Sequence, residues 1–189
     1  MDRVSPVHKL PREEAIRQYG LFLAKARKEG EPVLRDMMRF MCQNDLFFLL
    51  TRVLKRKDAN KDFIYDRCRM VQESPNGYLD LWAREHYKST IITFALTIQD
   101  ILNNPDATFG IFSHTRPIAK AFLRQIKREF EENEVLKDLF ADILFEKPAQ
   151  QSPKWSEDEG IIVRRKSNPK EATIEAWGLV DGQPTSKHY

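Results

Sequence analysis

A lysine and two hydroxyl residues, Lys88-Ser89-Thr90, stand directly before a long apolar run. A phosphate-binding loop places these residue types at a helix start, where the lysine reaches the β- and γ-phosphates and the hydroxyl binds Mg²⁺. Exposed backbone N–H groups and the helix N-terminus complete such an anion site. The spacing therefore indicates a candidate nucleotide site, and a capped amphipathic helix is the alternative explanation.

The residues before the lysine depart from the usual phosphate-loop pattern. That pattern is G-x-x-x-x-G-K-[ST], and Trp82 and Tyr87 occupy its two glycine positions. Tyr87 is the more serious departure, because a glycine there lets the backbone curl close to the phosphate. Spacing alone thus leaves both explanations open.

The segment from Leu79 to Thr90 resembles the large terminase subunits of tailed bacteriophages, which are ATP-driven motors that pump DNA into a procapsid. Their deviant phosphate loop reads Arg, any residue, His, any residue, Lys-Ser-Thr, and many members have glycine at both variable positions. This chain matches the fixed positions and carries Glu85 and Tyr87 at the variable ones. The resemblance continues through Phe109–Thr115, Ala119–Asn133, Trp155 and Gly178–Tyr189.

The resemblance implies that this loop binds ATP and Mg²⁺. The expected nucleotide ligands are Arg84, Glu85, His86, Tyr87, Lys88, Ser89 and Thr90. Lys88 would hold phosphate, Ser89 would hold Mg²⁺, and His86 would shape the loop by hydrogen bonding.

Arg84 is the expected catalytic residue, since the family offers it as an arginine that stabilises transferred charge. Its alternative role is a salt bridge to Glu85 or Asp80. Three aromatic residues are candidates to stack on adenine, with burial in the core as the alternative: Phe47, Phe48 and Trp82.

The resemblance also implies a function for the whole chain, namely the N-terminal ATPase segment that couples ATP hydrolysis to packaging of double-stranded DNA. The implied partners are DNA, the portal protein, the small terminase subunit and further copies in a ring. The implied location is the host cytoplasm, at the procapsid portal. Alternatives from other classes are a non-catalytic nucleotide-binding or interaction module and a helicase-like ATPase.

In this family the Walker B acids follow a Gly-x-x-x-x-x-His segment, which Gly182 and His188 match. The acids and the nuclease domain are therefore expected beyond Tyr189. Residues 1–189 alone are expected to bind nucleotide without efficient hydrolysis, because the metal and the attacking water need those acids.

A basic stripe recurs at four-residue spacing in the helix predicted after residue 115. Its members are Arg116, Lys120, Arg124 and Lys127. Contact with DNA phosphates is the functional interpretation, and a solvated helix face is the alternative. The opposite stripe is predicted to be apolar, through Ile118, Phe122, Ile126 and Phe130. Arg52–Arg69 is a second basic candidate.

The elements that must position these residues suggest an α/β fold. A helical segment is predicted over 1–76, with helices over Glu13–Lys28 and from Pro32, while Leu46–Leu50 fits either helix or strand. Over 77–189, strand, loop, helix, strand, helix predicts the first part of a P-loop (RecA/ASCE-like) parallel sheet. The predicted strands are Tyr78–Ala83, Thr108–Phe112, Ile161–Arg165 and Thr173–Trp177, the last two as a hairpin, and the predicted helices are Ile91–Leu102 and 116–134.

The composition of the chain excludes several classes of protein. The chain has 189 residues, is 41% hydrophobic and has a net charge of +3, which excludes a disordered chain and a histone-like tail. It shows neither a secretory signal nor an apolar run of the roughly 18 residues that span a membrane. Its two cysteines, Cys42 and Cys68, lack zinc-ligand spacing and are expected to be reduced thiols.

Overall fold

The computed structural model describes residues 5–74 and 77–180. The first part of the chain is mainly helical. The chain divides into two units, residues 1–99 and residues 100–189. The longer helices of the first unit are α1 (Arg12–Glu29), α2 (Glu31–Asn44) and α4 (Asp62–Glu73). Gly30 separates α1 from α2 with a φ of 121°, and Pro32 lies in the first turn of α2, where its fixed φ suits a helix.

The apolar run Leu46–Leu50 is helical, which resolves the ambiguity left by its periodicity. It forms α3 (Leu46–Phe48) and the start of a π-helical turn, Leu49–Val53. Every residue from Leu46 to Leu50 is fully buried, because a helix that is apolar all round needs cover on all sides. Phe47 and Phe48 therefore belong to the core of the first unit.

One buried carboxylate connects the helices of this core. Asp45 Oδ1 accepts a hydrogen bond from the backbone N–H of Phe48 at 3.0 Å, which caps α3. Its Oδ2 lies 2.8 Å from the Tyr19 hydroxyl and 3.0 Å from the Arg69 guanidinium. Burial of this charge is tolerated because it is paired and hydrogen-bonded.

The predicted strand Tyr78–Ala83 is wrong. The segment has no regular secondary structure and pairs with no strand in the described part of the chain. Its side chains alternate: Leu79 and Leu81 are 75% and 83% exposed, whereas Asp80 and Trp82 contact α4. The segment is thus held by side-chain contacts with α4.

The predicted helix after the loop is present. The chain is helical from Lys88, π-helical over Thr90–Leu96 and α-helical again in α5 (Thr97–Asn103).

The sheet of the second unit is mixed, so the predicted parallel sheet is wrong in this respect. Its strands are β1 (Phe109–Ser113), β2 (Trp155–Ser156), β3 (Gly160–Ile161) and β4 (Ile174–Gly178), in the order β1-β4-β3-β2. Only β1 and β4 are parallel; the other pairs are antiparallel. Only three residues separate β2 from β3, and so short a connection makes an antiparallel hairpin, because a parallel pair needs a crossover of a dozen or more residues. The predicted hairpin exists in part, because Ile161 pairs with Ile174.

Helix α6 (Arg116–Glu132) packs against β1 and β4. It ends two residues before the predicted boundary, because the Asn133 side chain accepts from the Leu136 N–H at 3.0 Å and starts α7 (Glu134–Leu139). A short α8 follows at Pro148–Gln151. The buried face differs from the predicted stripe, since Ile118 is 48% exposed. The buried residues are Ala119, Leu123, Ile126 and Phe130.

Among the described residues, no helix combines the length and apolarity that crossing a bilayer requires.

Candidate functional site

The loop before Lys88 has an unusual backbone. Glu85 and Tyr87 have φ values of 65° and 62°, in the left-handed region that glycine adopts freely and other residues rarely occupy. These are the two variable positions at which the phage motor proteins often carry glycine. The backbone therefore adopts at these two positions a conformation that usually needs glycine. The conformational strain costs about 1–3 kcal/mol per residue.

The helix begins where this curl ends. The first helical hydrogen bond runs from the Ile91 N–H to the Tyr87 carbonyl at 2.9 Å. The N–H groups of a first helical turn have no acceptor within their own helix and carry partial positive charge. Here they belong to Lys88, Ser89 and Thr90, which are all half-buried.

Two hydrogen bonds within the loop stabilise its shape. The ammonium of Lys88 donates to the Trp82 carbonyl at 3.1 Å, so the lysine lies back across the loop. His86 Nδ1 lies 2.7 Å from the Arg84 carbonyl. The loop thus positions a lysine, a hydroxyl and a set of N–H donors within one short segment.

Helix α4 holds the loop through side chains whose role no local sequence pattern indicates. Arg67 forms an ion pair with Asp80, and both side chains are only 9% exposed. The Arg67 guanidinium also stacks on the Trp82 ring, 4.3 Å from its centroid. Such a planar cation suits both contacts at once.

Aromatic and cationic contacts continue this attachment along the loop. Phe63 of α4 meets the Trp82 ring edge-on at 6.1 Å and the His86 ring at 6.3 Å. Lys61, just before α4, places its ammonium 5.1 Å from the Tyr87 ring centroid. The basic run Arg52–Arg69 was the only sequence signal near these residues, and it gave no indication of their partners.

Arg84 is exposed and forms no ion pair within residues 5–74 and 77–180. Neither alternative salt bridge, to Asp80 or to Glu85, forms among the described residues, and Asp80 is paired with Arg67 instead. The guanidinium therefore extends from the loop toward solvent. Of the three aromatic candidates for adenine stacking, only Trp82 is near the loop, and Arg67 covers one of its faces.

The basic stripe of α6 is engaged by acidic groups. Lys120 donates to Asp158 at 2.8 Å, and Arg124 makes a bidentate pair with Glu157 at 2.7 and 2.6 Å. Arg116 donates to the Asp158 carbonyl at 2.7 Å, and Lys127 pairs with Glu131 at 2.8 Å. The hydrogen bond from Arg124 lowers the pKa of Glu157, and the one from Lys120 lowers the pKa of Asp158.

The positive charge of α6 is thus largely compensated inside the second unit, and DNA contact by this stripe stays a prediction. Gly182 and His188, which the resemblance to the phage motors uses, lie outside the described residues.

Comparisons with known proteins returned nothing for this chain: no family model matches, and neither a curated protein nor a solved structure matches. The geometry of the loop and the residues that carry the terminase resemblance are therefore the basis for a functional proposal.

Proposed function

We propose that the chain is the N-terminal ATPase segment of a phage terminase large subunit, which couples ATP hydrolysis to packaging of double-stranded DNA. The observation that carries the proposal is the left-handed backbone at Glu85 and Tyr87, directly before Lys88 at the helix start. A capped amphipathic helix requires no such pair of strained residues in front of it. Left-handed positions of this kind are common where a backbone turns tightly against a bound ligand, which supports a phosphate loop.

The loop residues fit ATP and Mg²⁺ by their chemistry. Lys88 is the phosphate ligand, and it exchanges its bond to the neutral Trp82 carbonyl for one to an anionic phosphate oxygen, so that both donor and acceptor are charged. The N–H groups of the first helical turn supply further donors to the phosphates, and the Ser89 hydroxyl is the Mg²⁺ ligand. When bound, Mg²⁺ would neutralise part of the negative charge on the phosphate oxygens.

Arg84 is the charge-stabilising residue in this proposal. Its guanidinium has no competing ion pair among the described residues, so it is available to a phosphoryl group carrying developing negative charge. His86, bonded to the Arg84 carbonyl, orients the backbone from which that side chain extends. The remaining parts of the proposal follow from the resemblance: DNA, the portal protein and the small terminase subunit as partners, and a ring of copies at the procapsid portal in the host cytoplasm.

The proposal is tested by Lys88→Ala and a fluorescent ATP analogue. Loss of the charge-assisted contact should weaken binding by about 1.5–3 kcal/mol. Lys28→Ala is the matched control, because Lys28 is an exposed lysine of α1 and its loss removes the same charge. Equal affinities of wild type and Lys88→Ala would refute the phosphate-loop assignment.

A further inference from the structure

A cavity of about 750 Å³ lies in the second unit, and its described lining residues come from positions 145, 153–154, 162–165 and 167–170. This volume is within the range of about 300–1,000 Å³ that ligand sites occupy. The lining contains four cationic residues and no acid: Lys154, Arg164, Arg165 and Lys170. A cavity of this composition attracts anions.

Two of these cations lack the carboxylate partners that the cations of α6 have. Lys154 and Arg164 form no ion pair with any described residue, whereas Lys120 and Arg124 each lie within 2.8 Å of a carboxylate oxygen. Arg165 donates to two backbone carbonyls, those of Glu171 at 3.0 Å and Pro169 at 3.3 Å. The carboxylates of Asp106 and Glu171 also interact favourably with this cation, so Arg165 contributes less positive charge to the cavity than Lys154 and Arg164 do.

The Arg164 side chain is also held in position before any ligand arrives. Arg164 stacks on the Phe145 ring at 4.6 Å and donates to the Leu144 carbonyl at 3.4 Å. Asp106 Oδ1 accepts from the N–H groups of Lys166 and Ser167 at 2.9 and 2.7 Å, which fixes the loop that carries the lining. Ordering the donors in advance lowers the entropic cost of binding.

We propose that this cavity binds phosphate groups, with Lys154 and Arg164 as the principal ligands. Several separate cations suit phosphate because its negative charge is spread over several oxygens, and the fork of an arginine matches that geometry. Phosphate reaches such a site either as the backbone of a nucleic acid or as a free small anion. The inference is independent of the nucleotide loop, since none of these residues belongs to it.

The experiment compares wild type, Lys154→Ala and Lys154→Ala/Arg164→Ala by fluorescence anisotropy with a short labelled oligonucleotide, over a salt series. The matched control is Arg27→Ala/Lys28→Ala, which removes the same residue types from the exposed end of α1. Each lost contact should raise Kd about tenfold and reduce the slope of log K against log salt by about 0.7–0.9. Lys154→Ala keeps the test decisive if the double variant does not fold.

A second arm uses inorganic phosphate in thermal melts of the same variants. Stabilisation of wild type by phosphate that is lost in Lys154→Ala, without tight oligonucleotide binding, would identify a small phosphate anion as the ligand. Oligonucleotide binding with the expected change in slope would identify the nucleic acid backbone. If Lys154→Ala and the control bind the oligonucleotide like wild type, and phosphate stabilises all variants equally, the proposal is overturned.

Discussion

Glu85 and Tyr87 adopt a backbone conformation that their own Cβ atoms disfavour, and neighbouring side chains maintain it. Tyr87 is held by the cation of Lys61 over its ring. Glu85, by contrast, is exposed, so contacts of its side chain offset little of the backbone strain. The strain at this residue is therefore accessible to measurement by substitution.

We expect Glu85→Gly to be more stable than Glu85→Ala by about 1 kcal/mol, because glycine avoids the left-handed penalty that alanine keeps. Both variants lose the same exposed carboxylate, so their difference isolates the backbone term. Urea unfolding monitored by circular dichroism measures it. Equal stability, or a more stable alanine variant, would contradict a left-handed backbone at this position.

At the scale of elements, α4 serves as the support on which the loop rests. Its Arg67 reaches both Asp80 and Trp82, so one buried side chain fixes the segment that leads into the loop. Removal of one member of a buried ion pair leaves the other charge without compensation.

Asp80→Ala should lower the free energy of unfolding by about 3 kcal/mol, since it leaves the buried Arg67 cation unpaired. It should also change the fluorescence of Trp82, measured in a background with Trp155 and Trp177 replaced by Phe. Asp66→Ala is the control, because Asp66 is an exposed acid of the same helix. A loss no larger than that of the control would show that the pair does not hold the loop.

A second element-scale contact joins α6 to the β2–β3 hairpin through Arg124 and Glu157. The pKa of Glu157 is lowered from 4.5 by this arginine, so the folded state binds its proton less readily than the unfolded chain does. The stabilisation is therefore present above pH 4.5 and is lost as the pH falls through the lowered pKa.

The stability difference between wild type and Arg124→Gln should accordingly be constant near neutral pH and shrink below the ordinary pKa of a glutamate. Urea midpoints measured from neutral to acidic pH test this, and added salt should reduce the difference because the pair is partly exposed. In a Glu157→Gln background, Arg124→Gln should produce no such pH dependence. A dependence that persists there would assign the effect to another group.

Sequence patterns predicted where helices and strands occur better than they predicted which of these elements contact each other. The helices α1, α2 and α6 were predictable because amphipathic periodicity is a local property, and β1 lies one residue from its predicted bounds. The loop residues were recognisable because their spacing is also local. The antiparallel pairing of β3 with β4 was anticipated by the predicted hairpin. Neither the strand order β1-β4-β3-β2 nor the ion pair between Arg67 and Asp80 was predictable, since both depend on which distant segments meet.

At the scale of the whole molecule, the two units carry different chemical probes. Both cysteines, Cys42 and Cys68, lie in the first unit and are fully buried. Burial raises the pKa of both thiols, so the reactive thiolate is scarce in the folded protein. Trp155 and Trp177 lie in the second unit.

We expect a thiol reagent to label native protein only at the rate at which the first unit opens. The labelling rate should rise with urea in step with the loss of helix. A Ser167→Cys variant provides an exposed thiol in the second unit and should react at once. Immediate labelling of wild type would contradict the burial of Cys42 and Cys68.

The π-helical turn over Thr90–Leu96 makes the helix after the loop unusually tolerant of a change in length. A π turn holds an extra residue, so deleting one residue there restores an ordinary α-helix. Lys88 then stays at the loop, and Gln99 keeps its hydrogen bond to the Cys42 carbonyl. A deletion elsewhere in the helix would rotate all later residues by about 100° and turn their apolar face outward. Natural relatives of this chain are therefore expected to gain or lose single residues at this turn.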